Sequence, residues 1–110
     1  MPHHIGRDYL RSALSVGAVT VVDALPAHAY ANRHLPSAVN LTAEDAAARA
    51  PSVLPDRAAD IVVYSTDAHC TRGPDLAAAL EQLGYTNISV YTEGIQPWAD
   101  AGLPVEHAIT

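Results

Sequence analysis

Residues 60–85 read "DIVVYSTDAHCTRGPDLAAALEQLGY", and their succession decides the fold. "DIVVYS" (60–65) is short and almost continuously apolar, the pattern of a strand buried on both faces. A polar loop follows. In "PDLAAALEQLG" (74–84), Leu76, Ala79, Leu80 and Leu83 share one helical face. Pro74 suits the first turn of that helix, and Gly84 supplies its stop.

The same alternation extends outward on both sides. "AVTVVDAL" (18–25) and "NISVYT" (87–92) are further buried-strand patterns, and "SAVNL" (37–41) is a short fourth strand. "IGRDYLRSALS" (5–15) puts Ile5, Tyr9, Leu10, Ala13 and Leu14 on one stripe, predicting a helix. "TAEDAAARA" (42–50) opens with Thr42 and has Asp45 three places later, a capping-box-like start to a helix ending before Pro51. "GIQPWADAG" (94–102) reads as one short helix, with Pro97 tolerable near its start. The longest loop-like stretch is "ARAPSVLPDRAAD" (48–60). Strands alternating with helices through short links indicate an α/β domain with a parallel sheet.

Bulk properties narrow the function. A chain of 110 residues has the length of one domain, here taken as 1–110. The net charge of −6, with twelve acidic residues against six arginines, argues against nucleic acid as partner. No apolar stretch approaches the length of a membrane span. "MPHHIGRDYL" lacks the basic region and apolar block of a secretion signal, so a cytoplasmic location is expected. One cysteine excludes an internal disulfide and any multi-thiolate zinc site. His28, His34, His69 and Cys70 show no ligand spacing, and His3 and His4 are expected on a frayed terminus, so neither metal nor cofactor is predicted. Asp23 is expected to position a loop, His34 to anchor its own loop by a hydrogen bond, and Trp98 to lie in the core.

In parallel α/β sheets, ligands bind beyond the carboxyl ends of the strands. The loop from Ser65 to Gly73 lies there, between a buried strand and the best-formed helix. Unpaired N–H groups at the helix start favour negative charge. Gly73 and the small residues Ser65, Thr66, Ala68 and Thr71 let the backbone curl around an anion, and Arg72 adds a positive charge. The candidate cradle is therefore Ser65, Thr66, Asp67, Ala68, His69, Cys70, Thr71 and Arg72. A cysteine in such surroundings tends toward the thiolate, its reactive form. The opposing reading is a passive, partly buried thiol.

Four ordered signatures carry a resemblance to the single-domain rhodaneses, the sulfurtransferase family, over about residues 19–106. "VVDALPAHAYANRHLPSAVNL" (21–41) resembles the family's strand-ending Asp and its His-Ile-Pro-Gly-Ala-x-Asn segment, here His34 to Asn40. "IVVYS" resembles the strand that delivers the active-site cysteine, and "DLAAALEQLGY" (75–85) the helix after the active loop. "VYTEGIQPWADAGLPVE" (90–106) resembles the closing segment, with Gly94, Trp98, Gly102 and Pro104 in step. The resemblance implies a five-stranded parallel sheet flanked by helices. It also implies transfer of sulfane sulfur through a cysteine persulfide, from a donor such as thiosulfate to a thiophilic acceptor, with a small sulfur-containing anion or a thiol-bearing protein as partner.

The chain departs from that pattern at the loop. Ser65 occupies the place of the nucleophilic cysteine, and Cys70 lies five residues on. Leu25 stands where the family has Arg after the strand-ending Asp, and Arg33 and Ser37 stand where glycines flank the His-x-Pro segment. A serine hydroxyl cannot carry a persulfide and stays protonated near neutral pH unless a base activates it. A Ser65–His69 pair is disfavoured, because neighbours in one short loop rarely meet the geometry. The expected catalytic positions are thus Ser65 and Cys70, in a sulfurtransferase-type protein whose activity is weak, absent or dependent on Cys70. The alternative is an inactive module that binds an anion or a protein. Phosphatase or arsenate-reductase chemistry ranks last, for want of a thiol at position 65.

Overall fold

The computed structural model describes residues 2–107. In chain order the elements are β1 (His3–Ile5), α1 (Arg7–Ser15), β2 (Thr20–Asp23), α2 (Ala27–Asn32), β3 (Val39–Asn40), α3 (Ala46–Val53), β4 (Ile61–Tyr64), α4 (Arg72–Gln82), β5 (Ile88–Tyr91) and α5 (Ile95–Asp100). The strands are all parallel and stand in the order β1-β5-β4-β2-β3. The α/β sheet read from the sequence is therefore present.

β4 is the central strand and all four of its residues are buried, which its unbroken apolar run requires. Its side chains alternate between two cores, as the two-residue strand period dictates. Ile61 and Val63 pack with Leu76 and Leu80 of α4. Val62 and Tyr64 pack with Leu10 of α1 and Trp98 of α5. Burial of each such large apolar side chain stabilises the fold by roughly 1.5–3 kcal/mol. α4 ends as Gly84 predicted. Gly84 adopts φ +95°, its N–H donates to Glu81 O at 3.1 Å, and Tyr85 N–H reaches back to Leu80 O at 3.1 Å.

Several sequence expectations require correction. His3 and His4 do not fray: with Ile5 they form edge strand β1, in register with Ser89, Val90 and Tyr91. α1 therefore begins at Arg7, and Ile5 belongs to the sheet. The segment after Thr42 first makes a turn, in which Thr42 Oγ1 accepts Asp45 N–H at 3.3 Å, and α3 starts only at Ala46. α3 also runs through Pro51 to Val53, shortening the expected loop at 48–60. The carbonyl that Pro51 leaves unpaired belongs to Ala47, an exposed residue, so water can satisfy it. α4 starts two residues before Pro74, and α2 was not anticipated.

Tyr64 stands level with Asp23 on one side and Tyr91 on the other. The loop after β4 therefore opens at the middle of the sheet's carboxyl edge. Among the described residues no helix is long and apolar enough to cross a membrane.

Candidate functional site: the loop after the central strand

The loop is held from below by α5. Ile95 N–H donates to Ser65 O at 3.0 Å, and Gln96 N–H donates to Thr66 O at 2.8 Å. This clamp needs glycine just before it. Gly94 has φ +79° and ψ −175°, and a Cβ there would lie 2.5 Å from Thr66 C and O. On the other side Gly73 permits close approach, since a Cβ there would meet Ser65 Oγ at 3.2 Å. The loop's own turn comes from Asp67, whose carboxylate accepts His69 N–H at 2.9 Å and whose carbonyl accepts Cys70 N–H at 3.2 Å.

These constraints fold the Cys70 thiol back over Ser65. Burial pushes the thiol pKa up from 9.0. Hydrogen bonds from the Ser65 hydroxyl, the Arg72 and Thr66 amides and the Thr66 hydroxyl outweigh it, and the net direction is down. The donors are the groups expected to cradle an anion, and here they face the sulfur. Cys70 is half-buried, so a small reagent can reach it.

The other predicted residues divide clearly. Ser65 is 4% exposed and lies beneath the sulfur. Ala68 and His69 are exposed, and the Ser65–His69 pair does not form, because Ser65 serves Cys70. Thr71 precedes α4 without a side-chain capping bond. The Arg72 guanidinium turns away to Glu44 at 3.6 Å, so Arg72 acts on the sulfur through its amide.

A second polar group sits directly beneath the loop. Asp23 is fully buried, and its carboxylate accepts Leu25 N–H at 2.8 Å and the Tyr64 hydroxyl at 2.6 Å. The Tyr64 hydroxyl in turn accepts Leu35 N–H at 2.9 Å. Burial raises the Asp23 pKa despite the donors from Tyr64 and Leu25. Asp23 thus positions the segment entering α2, as expected, and Tyr64 ties that segment to β4. His34 anchors its loop through Nδ1, 2.8 Å from Tyr30 O, and stacks on the Tyr30 ring at 4.0 Å. Trp98 is 2% exposed in the core and donates to Pro104 O at 2.7 Å.

Sequence reasoning missed Arg33 and Gln96. Arg33 lies at the end of α2, and its guanidinium donates to Gln96 Oε1 at 2.6 Å. The two residues are far apart in the chain, and no local pattern pairs them.

The fold agrees with what comparison finds. The Rhodanese-like domain family model matches residues 7–101. The chain is 33% identical over 102 residues to the HTH-type transcriptional regulator Rv0324 of Mycobacterium tuberculosis, covering 93% of this chain and 44% of that protein. The chain thus spans less than half the length of that relative. The BH2092 protein from Bacillus halodurans superposes with a TM-score of 0.87 at 23% identity, over 96% of this chain and 77% of its own. The rhodanese-like domain of the Anabaena sp. Alr3790 protein gives 0.83 at 27% identity, over 97% and 80%. A thiosulfate sulfurtransferase from Pseudomonas aeruginosa gives 0.83 at 22% identity, over 97% of this chain and 20% of its own. On the family match, the five-stranded sheet and the loop at its carboxyl edge, this chain belongs to the rhodanese-like domain family.

Proposed function

We propose that this domain transfers sulfane sulfur through Cys70, with Ser65 serving as a hydrogen-bond donor to that sulfur. One observation carries the reading: the Cys70 thiol faces the Ser65 hydroxyl and the Thr66 and Arg72 amides, which hold its pKa below 9.0. A thiol whose pKa is lowered by such donors gives more thiolate at a given pH than a free cysteine, and the thiolate is the nucleophile.

With thiosulfate as donor, the Cys70 thiolate attacks the outer sulfur. A Cys70–S bond forms, the S–S bond of thiosulfate breaks, and sulfite leaves with the electron pair. The product is a Cys70 persulfide, whose terminal sulfur carries the negative charge. The donors that face the thiol sulfur lie at the inner end of that persulfide, where hydrogen bonds favour negative charge. A thiophilic acceptor, such as cyanide or a protein thiol, then takes the terminal sulfur and regenerates the thiolate. Ser65 cannot do this work, since its oxygen carries no persulfide.

The test is intact mass after incubation with thiosulfate. The wild type is expected to gain one sulfur atom, and Cys70→Ala to gain none. An adduct that survives in Cys70→Ala, or none in wild type, rejects Cys70 as carrier.

A second reading draws on the relative that is a transcriptional regulator and on the chain's coverage of 44% of it. In a longer regulator, the same loop would bind a sulfur species or a protein partner and report it without turnover. An adduct that forms once and is not passed to cyanide favours this reading.

A further inference from the structure

We propose that a cleft at the amino edge of the sheet binds a small organic cation, a protonated amine carrying an apolar or aromatic group. Val19, Asp60 and Asn87 line it, and each directly precedes a strand, so the cleft lies at the opposite edge from Cys70. It is independent of the proposed sulfur transfer.

Three features that the fold leaves unused converge on this one hollow of about 280 Å³ between α1 and the sheet. The first is the Tyr9 ring, left 65% exposed at the cleft while its neighbour Leu10 is fully buried. The second is Ser89. It stands between Ile88 and Val90, which pack toward α4, so its side chain points to the α1 side, level with His3 and Val62. Among the described residues nothing hydrogen-bonds its hydroxyl, which opens on the cleft. The third is Asp60. Its backbone carbonyl accepts Thr20 N–H at 2.8 Å, but its exposed carboxylate meets no donor or cation among the described residues. Ile61 and Val62 give the cleft an apolar floor, and Ala13 and Ala18 are too small to fill the space above it. That space equals about nine waters at ~30 Å³ each, which suits a ligand of one ring. The Asp60 carboxylate would meet the ammonium, the floor its apolar part, and the electron-rich Tyr9 ring attracts a cation. No arginine lines the cleft, and on a chain of net charge −6 an anion would be repelled.

The experiment titrates the isotope-labelled whole chain, followed by amide NMR, at about pH 8, above the range in which imidazoles charge. The probes are benzylamine, benzyl alcohol and benzoate: a cation, its neutral analogue and an anion of like size. Benzylamine is expected to shift the amides of Tyr9, Asp60 and Ser89 and leave those of residues 65–72 in place. Its Kd is expected on the order of 1–10 mM, as befits so few atoms. Benzyl alcohol and benzoate are expected to bind at least about five-fold more weakly. Asp60→Asn is expected to weaken benzylamine about five-fold while changing benzyl alcohol less than about two-fold. Ala13→Leu, which fills the hollow, is expected to abolish the shifts in a chain whose remaining spectrum is that of the folded wild type. Asp60 is exposed, so Asp60→Asn decides the matter even where Ala13→Leu does not fold. Absence of saturation by about 50 mM benzylamine overturns the inference. So do benzoate binding as tight as benzylamine, shifts centred on residues 65–72, or a benzylamine affinity that Asp60→Asn leaves unchanged.

Discussion

Tyr64 and Ser65 are neighbours, yet the groups they serve ionise in opposite directions. The Asp23 carboxyl receives a hydroxyl from Tyr64 and an amide from Leu25, and burial still raises its pKa above 3.8. The Cys70 thiol receives a hydroxyl from Ser65, both the amide and the hydroxyl of Thr66, and the Arg72 amide, and its pKa falls below 9.0. The difference is depth. Asp23 is 0% exposed and desolvation dominates it, whereas half-buried Cys70 keeps part of its hydration and its donors prevail. One residue of chain thus separates a group whose burial raises its pKa from one whose donors lower it.

The largest effect expected is that of a change that breaks the clamp under the loop. Gly94→Ala forces a Cβ to within 2.5 Å of the Thr66 backbone at a φ of +79°. It is expected to destabilise the fold by about 4 kcal/mol or more in urea denaturation, because that backbone region is nearly closed to other residues. It should also return the pH midpoint of Cys70 alkylation toward 9.0, by freeing the loop. Retention of full stability would mean that α5 does not clamp the loop.

Tyr64→Phe sharpens the contrast by touching only the buried pair. It leaves Leu35 N–H and one Asp23 oxygen without their partner. A loss of about 2–3 kcal/mol is expected by the same measurement, with the Cys70 alkylation midpoint unchanged. A moved midpoint would show the two pairs to be coupled.

A smaller effect is expected in the pH dependence of stability. Folding raises the Asp23 pKa, so between 3.8 and its folded value the native state holds more protons than the unfolded state. Its contribution to stability is full below 3.8 and is lost as pH rises through the folded value. Denaturation of wild type and Asp23→Asn at a series of pH values should therefore shift in favour of wild type as pH falls toward 3.8. A gap that moves the other way would show the donors, not burial, to dominate Asp23.

The parts legible in the sequence were those written in local pattern. β2, β4 and β5 carry unbroken β-branched runs, and α4 carries both its apolar face and its glycine stop. The family resemblance located the loop and singled out Ser65 and Cys70. What escaped is settled only in three dimensions. β1 is three residues long, two of them exposed histidines, and is a strand only because β5 offers an edge. α2 has no buried residue and hence no apolar stripe to announce it. The turn of the Cys70 sulfur onto Ser65 depends on Asp67 folding the loop and on Gly94 and Gly73 admitting it. Arg33 meets Gln96 only because the fold brings the end of α2 against α5.

The pH profile of Cys70 alkylation by iodoacetamide tests the central claim most directly. The folded pKa is depressed, so Cys70 contributes stability above 9.0 that is lost as pH falls through the folded value, opposite in sign to Asp23. Wild type is expected to show a midpoint below 9.0, and Ser65→Ala a midpoint moved upward with little loss of stability. A wild-type midpoint at or above 9.0, or one that Ser65→Ala leaves in place, would contradict the account.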